Sequence, residues 1–278
     1  QSAPASARKS NPILRFDELA SFHGENFVGR NDVIEEIEAF VKNRPFSMGV
    51  VRAAPGMGKS AIFTHFYRKY GAKDATQGWI FHFSARADQR DNAILGLRSL
   101  IAQGELQIQR NAISPSKRIP LPWTYDDLSR RFLHMLTQLG ECFHSKGKHA
   151  VLLIDALDEQ APRPGMPLES IFRALPDDIP QGIVVLVSVR IDKKGKPIAI
   201  ESGRLASPRA GPINKTNPLL GLTPDDVNTL IKQKLALEKP ELANVSQEVL
   251  ERVSQAAQRP EDKTLDPFYL RFLADGIR

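Results

Sequence analysis

The segment Ala53–Ser60, with the sequence Ala-Ala-Pro-Gly-Met-Gly-Lys-Ser, combines residue types that bind phosphate. Gly56 and Gly58 let the backbone turn its N–H groups inward, and the start of a following helix adds its dipole. Lys59 supplies a point charge, and the Ser60 hydroxyl is a ligand for Mg²⁺. A phosphate-binding loop (P-loop) usually begins with Gly, where this chain has Ala53, a position little tied to phosphate contact. The predicted phosphate-binding residues are Pro55, Gly56, Met57, Gly58, Lys59, Ser60 and Ala61.

A second group of chemically capable residues follows the apolar run Val151–Ile154. A carboxylate after a buried strand lies at the edge of a parallel sheet where ligands bind, so Asp155 is predicted to join Ser60 in holding Mg²⁺, directly or through water. Glu159, or else Asp158, is a candidate to orient or deprotonate an attacking water. Acids at such a place also commonly cap the next helix, and this alternative stays open for the acids taken alone.

Arg190 ends a third apolar run, Ile183–Val189. A cation at the end of a neighbouring strand would lie beside the γ-phosphate of a bound nucleotide and could sense its presence. The alternative is an ordinary charged residue that ends a buried strand. No Asn-Lys-x-Asp guanine motif occurs, so the predicted cofactors are ATP or ADP with Mg²⁺, and ATP is preferred over GTP.

The pattern of strands and helices predicts how these residues are positioned. Near-continuous Val, Ile and Leu runs are typical of strands covered on both faces in a parallel sheet. Strands are predicted at Phe46–Ala53, Gly78–Ala85, Ala150–Ile154 and Ile183–Val189, with an edge strand near Ile213–Leu220. Helices are predicted at Asn31–Val41, Ser60–Tyr70, Asp91–Gln103, Asp126–Lys146, Pro224–Ala236, Ser246–Ala257 and Pro267–Ile277.

This order predicts an α/β fold, a three-layer parallel sheet, followed by a helical lid domain. The predicted boundaries are a flexible leader at 1–24, a P-loop nucleotide-binding domain at 25–218, and the lid at 219–278. The 278 residues carry a formal charge of +6 and one cysteine, Cys142, which favours a reducing cytoplasm. The apolar runs are too short to span a bilayer, so no membrane is expected.

Taken together, four segments resemble the STAND-class NTPases, the group that contains the NACHT and NB-ARC domains of NLR-type receptors. They are Phe27-Val28-Gly29-Arg30, similar to the entry motif of the family; Pro55–Ser60, its P-loop; Leu153–Glu159, its acidic motif; and Asp266–Leu270, its lid motif. The resemblance implies an ASCE/AAA-like core. It also implies that Val28, Gly29 and Arg30 lie near the base and phosphates and that Pro267 packs on the base.

What the resemblance implies about function is a molecular switch that drives signalling in immune defence or cell death. ADP would hold a closed monomer, ATP would stabilise a homo-oligomer, and hydrolysis would be slow. Such a core normally works with effector and sensor domains, which would lie outside this chain. A contact between Arg190 and the γ-phosphate in one state only would give the required difference in affinity.

Two other functions fit parts of the sequence. An AAA-type ATPase with nucleic-acid-stimulated turnover would use the basic residues Lys193, Lys194 and Lys196. We nevertheless expect no nucleic-acid partner, because nucleotide phosphates already supply a polyanion. A non-hydrolysing scaffold is the second alternative, and the presence of Lys59 and Glu159 argues against it.

Overall fold

The computed structural model describes residues 12–24, 27–43, 47–71, 78–85, 89–111, 120–160, 169–192, 195, 210–213, 219, 221–238 and 247–257. Within these ranges, the first four strands are separated by helices, one or two between each pair, and two helices follow the fifth strand. The strands are β1 (Met48–Ala53), β2 (Trp79–Phe83), β3 (Ala150–Asp155), β4 (Ile183–Arg190) and β5 (Ala210–Pro212). The helices are α1 (Asp17–Gly24), α2 (Asn31–Asn43), α3 (Lys59–Phe66), α4 (Ala93–Asn111), α5 (Tyr125–His144), α6 (Ile171–Ala174), α7 (Pro224–Glu238) and α8 (Gln247–Ala257). A π-helical turn (Tyr67–Gly71) follows α3, and a 3₁₀ turn (Leu157–Gln160) follows β3.

The five strands form one parallel sheet in the order β2-β3-β4-β1-β5. The register pairs Ala53 with Arg190 across β1 and β4, and Ile154 with Val187 across β3 and β4. The carboxyl ends of β1, β3 and β4 therefore meet at one edge of the sheet. Every residue of β3 is buried, as expected for a strand covered on both faces.

Helices cover both faces of the sheet, which gives three layers. Leu152 and Ile154 of β3 belong to a core cluster that includes α4, α5 and α6. Their neighbours Val151 and Leu153 belong to a second cluster with α1, α2 and α3. Since successive strand residues point to opposite faces, the two clusters lie on opposite sides of the sheet. The predicted α/β fold class is confirmed.

The boundary of the predicted flexible leader at residue 24 is wrong. Residues 17–24 form α1, and the Phe16 and Ala20 side chains are buried in the core cluster beneath α3. Phe16 packs edge-on against Tyr67, and the Leu14 N–H donates to the Ser99 hydroxyl at 2.9 Å. These tertiary contacts fix a segment whose composition alone gives no strong helical period.

A stack of aromatic rings joins the end of α3 to β2. The Trp79 ring lies parallel to Tyr70, with centroids 4.4 Å apart, and to Phe66, at 5.6 Å. Trp79 is buried, so the stack is part of the core rather than a surface. It anchors the carboxyl end of the helix that begins at the P-loop.

The region after β4 agrees with the predictions in part. The edge strand lies at Ala210–Pro212, before the predicted position near Ile213–Leu220, and it pairs with β1. The bounds of helices α7 and α8 lie close to those of two predicted helices, and α7 and α8 contact each other. The third predicted helix, Pro267–Ile277, lies outside the described residues, so the lid boundary at 219 stays a prediction. No helix in the described ranges is both long and apolar enough to cross a membrane.

Candidate functional site

The P-loop connects the end of β1 to the start of α3. Gly56 has φ of +80° and Gly58 has φ of +84°, backbone conformations that L side chains rarely adopt. Gly58 is the N-cap of α3, and no side chain caps the helix there. The first N–H groups of α3 therefore have no side-chain acceptor at the N-cap, an arrangement suited to an anion.

Lys59 is buried at the base of this loop. Its ammonium group donates to the carbonyl oxygens of Ala53 and Ala54, both at 2.9 Å. Burial lowers the pKa of Lys59 to about 8, while the nearby carboxylates of Asp155 and Asp158 act in the opposite direction. The site thus holds a desolvated cation whose interaction with phosphate is stronger than it would be in water.

Asp155, the last residue of β3, is held by its neighbour on β4. The fully buried Ser188 hydroxyl donates to Asp155 Oδ1 at 2.5 Å and accepts from the Ala156 N–H at 2.8 Å. Ala156 has φ of +51°, which is strained for a residue with a Cβ, so this hydrogen bond fixes a turn that costs energy. Ser188 therefore orients the carboxylate predicted to hold Mg²⁺.

Arg190 makes ion pairs with both acids that follow β3. Its Nε lies 2.9 Å from Asp158 Oδ2, its backbone N–H donates to Asp158 Oδ1 at 3.1 Å, and its guanidinium also binds Glu159. Asp158 is nearly fully buried, whereas the Arg190 side chain is 38% exposed. The predicted sensor and the predicted water-activating acids are thus in direct contact.

The predicted entry motif lies between the P-loop and α7. The Arg30 guanidinium donates to Met57 O in the P-loop and to Gly221 O just before α7, both at 3.4 Å. Burial lowers the pKa of Arg30 from its ordinary value, with Asp226 acting in the opposite direction. Gly29 has φ of +69°, and a Cβ there would lie 2.7 Å from a carboxylate oxygen of Asp226. This segment therefore bridges the P-loop and the first helix of the predicted lid.

These residues surround one cleft of about 360 Å³. Its charged end, as we call it, consists of the P-loop residues Pro55–Ala61 with Asp155, Asp158, Glu159, Ser188 and Arg190. Its apolar end consists of Phe22, His23, Phe27, Val28, Leu222 and Leu230, and Arg30 and Ala156 also contact the cleft. Of the predicted site residues, Gly29 packs beside the cleft without lining it, and Pro267 lies outside the described residues.

The sequence-based prediction missed four residues at the apolar end: Phe22, His23, Leu222 and Leu230. Phe22 and His23 lie in the segment predicted as a leader, and no motif marks the two leucines. Ser188 lies within the apolar run that Arg190 ends, and its hydrogen bond to Asp155 depends on the register of β3 against β4.

The candidate site suits Mg²⁺, because this ion is usually held by one or two protein ligands together with substrate phosphates. Ser60 and Asp155 line the same cleft and supply a hydroxyl and a carboxylate. In the ranges that the structure describes, no group of three or more His, Cys, Asp or Glu side chains could hold a metal ion. The donor set thus fits an ion shared with a nucleotide rather than a metal held by protein ligands alone.

A parallel sheet with a P-loop after β1 and an acidic segment after β3 is the arrangement of a P-loop NTPase. Residues 35–190, more than half of the chain, match the family model described as nephrocystin 3, N-terminal. The chain belongs to this family. No curated protein matches it.

Two solved structures are similar to this chain. The Walker-type ATPase PABY2304 of Pyrococcus abyssi is 14% identical, with a TM-score of 0.54, over 91% of this chain and 69% of that one. Cdc6p from Pyrobaculum aerophilum is 13% identical, with a TM-score of 0.47, over 95% of this chain and 66% of that one. Because the sequence identity is low, the similarity to PABY2304 is evidence for the fold alone.

Proposed function

We propose that this chain is an ATP/ADP-binding molecular switch, the nucleotide-binding core of a larger STAND-class signalling protein, with slow Mg²⁺-dependent hydrolysis. One observation carries the proposal: Arg190 is ion-paired with Asp158 and Glu159 in the same cleft as Lys59. A guanidinium that can exchange a carboxylate for a γ-phosphate at this place can distinguish ATP from ADP.

The charged end is proposed to hold the phosphates. Lys59 and the N–H groups at the start of α3 would bind the β- and γ-phosphates, and Ser60 and Asp155 would hold Mg²⁺. A bound Mg²⁺ supplies charge neutralisation on the phosphate oxygens. Ser188 would keep the Asp155 carboxylate oriented, since it donates to Oδ1.

Discrimination between ATP and ADP would come from competition for Arg190. A γ-phosphate offers Arg190 charged oxygens and competes with Glu159, whereas ADP leaves the ion pairs intact. Once released, Glu159 can accept a proton from a water, the role of a general base. ATP would thus change the ion pairing and free the acid in one event, which a switch with slow hydrolysis needs.

The larger assembly is also part of the proposal. Effector and sensor domains outside this chain, and a homo-oligomer in the ATP state, follow from the resemblance to STAND-class proteins. Support comes from Arg30, which donates to both the P-loop and the segment before α7, so a change at the phosphates has a path to the predicted lid.

Replacement of Arg190 tests the switch. We expect Arg190→Ala to weaken ATP binding by about tenfold, the value of one charge-assisted hydrogen bond, and to leave ADP binding within about twofold. Isothermal titration calorimetry with each nucleotide and Mg²⁺ gives both constants. Arg131→Ala, which removes the ion pair of Arg131 with Glu105 on α4, is the matched control. Equal losses for ATP and ADP would contradict the sensor role.

The substitution Glu159→Gln tests the proposed role of Glu159 in activating water. The variant should bind ATP but hydrolyse it more slowly, as measured by phosphate release; undiminished turnover would move the water-activating role to Asp158.

The nucleotide retained by the wild-type chain tests the closed state of the switch. Wild-type chain, purified without added nucleotide and denatured, should release ADP on ion-pair chromatography. An empty site with turnover of several per second, stimulated by DNA, would instead support the AAA-type ATPase.

A further inference from the structure

Helix α1 is fixed to the nucleotide-binding core by one of its faces. The Tyr67 hydroxyl on the π-helical turn donates to Asp17 Oδ1 at 3.2 Å, and Ala20 is buried in the same cluster. Gly24 lies so close to Arg68 that an added Cβ would meet its guanidinium. Since residues at these spacings share one side of a helix, α1 contacts the core along this side from its first residue to its last.

The opposite side of α1 carries Phe22 to the cleft. Among the described residues, three large apolar side chains are at least about a third exposed: Phe22 at 52%, Leu133 at 44% and Leu95 at 36%. Of these three, Phe22 is the one that lines the cleft. The ring of His23 stands nearly perpendicular to that of Phe22, at 82° and 5.0 Å between centroids, which favours one orientation of the Phe22 ring.

The rest of the apolar end is also fixed in place. The Phe27 ring contacts the ring of His65 on α3, with centroids 5.1 Å apart. Leu222 and Leu230 are buried on the α7 side of the cleft. The Phe22 ring is about half exposed and lines the same cleft as the P-loop. Such a ring is suited to stack on a flat, apolar group that is attached to phosphates.

We propose that Phe22 stacks on the nucleotide base, so that α1 forms one wall of the base subsite and selects purine over pyrimidine nucleotides. This inference rests on the proposed nucleotide binding. A purine covers more of the Phe22 ring than a pyrimidine does, and stacking needs no hydrogen-bond pattern on the base. His23 is a positioning residue, because it acts through the orientation of Phe22.

The test measures nucleotide affinity with and without the base. Dissociation constants for ATP, CTP and inorganic tripolyphosphate, each with Mg²⁺, are measured by calorimetry for wild-type chain and for Phe22→Ala. We expect Phe22→Ala to weaken ATP by about five- to tenfold, as for loss of one stacking ring, with tripolyphosphate unchanged. The preference of the wild-type chain for ATP over CTP should shrink in the variant.

Three further variants separate stacking from general damage. Phe22→Tyr should retain ATP affinity, and Phe22→Leu, which keeps the apolar volume without the ring face, should lose most of what Phe22→Ala loses. Leu133→Ala, at an exposed apolar residue that does not line the cleft, should change nothing. Unchanged ATP affinity in Phe22→Ala would overturn the proposal, and so would equal losses for ATP and tripolyphosphate. A wild-type chain that binds neither ligand would instead mean that the proposed function itself has failed.

Discussion

The two ends of the cleft are built in different ways. The charged end lies where three neighbouring parallel strands end, and its groups are placed by backbone turns and by the register of β1, β3 and β4. The apolar end is assembled from side chains of α1 and the entry segment that follows it, together with Leu222 just before α7 and Leu230 in α7, which lie far away in the sequence. A sheet edge thus fixes ionic groups through local backbone structure, whereas an apolar surface depends on tertiary packing.

Replacement of Lys59 should weaken phosphate binding at the charged end without changing the apolar end, and it should have the largest effect. Lys59→Ala is expected to weaken ATP and tripolyphosphate alike by more than about a hundredfold, because charge-assisted bonds to two phosphates are lost. Calorimetry with both ligands measures this. Lys69→Ala is the matched control, since Lys69 is exposed and pairs with Glu38 on the surface. Wild-type affinity in the Lys59 variant would refute the assignment of the P-loop.

Loss of the Ser188 hydroxyl should weaken the charged end through Asp155. Ser188→Ala is expected to lower the Mg²⁺ affinity of the nucleotide complex by about ten- to hundredfold, as for other residues that orient a metal ligand. The measurement is ATP affinity as a function of Mg²⁺ concentration, with affinity in EDTA as the reference. Ser129→Ala on α5 is the control. The Ser129 hydroxyl, like that of Ser188, donates a hydrogen bond to an oxygen, here the backbone carbonyl of Tyr125, but Ser129 does not line the cleft. A loss that persists in EDTA would indicate general damage.

A change of pH should alter ATP binding at the charged end by a smaller factor. With the pKa of Lys59 lowered to about 8, the free chain loses this ammonium between pH 7 and pH 9, and ATP affinity should fall by about tenfold over that range. Stability should change in the opposite direction. The folded pKa lies below the unfolded one, so the cost of the buried ammonium is relieved as pH rises from about 8 towards 10.5.

Both effects of pH can be measured on the same samples. Calorimetry at a series of pH values gives the affinity, and urea unfolding gives the stability. Lys59→Met, which cannot titrate, should remove the rise in stability. A wild-type affinity that stays constant up to pH 9 would contradict the lowered pKa.

The residues of the charged end can be singled out from the sequence because their chemistry is local. Glycines, lysine and serine at fixed spacing determine a backbone turn, and long apolar runs determine buried strands. What the sequence misses depends on tertiary contacts. An eight-residue helix such as α1 gains its stability from packing, here from Phe16 and Ala20, and not from propensity. The contact of Arg190 with Glu159 likewise requires the registry of β3 and β4, which no local pattern contains.

The ring stack around Trp79 gives the molecule an optical signal of its own. The chain has two tryptophans, and Trp79 is buried with its ring stacked against both Tyr70 and Phe66, at the end of α3 opposite the P-loop. Trp123 instead lies under the guanidinium of Arg98, 3.6 Å from the ring centroid. The emission of Trp79 should therefore report any displacement of α3 on ligand binding, without an attached dye, and a Trp123→Phe variant would isolate it.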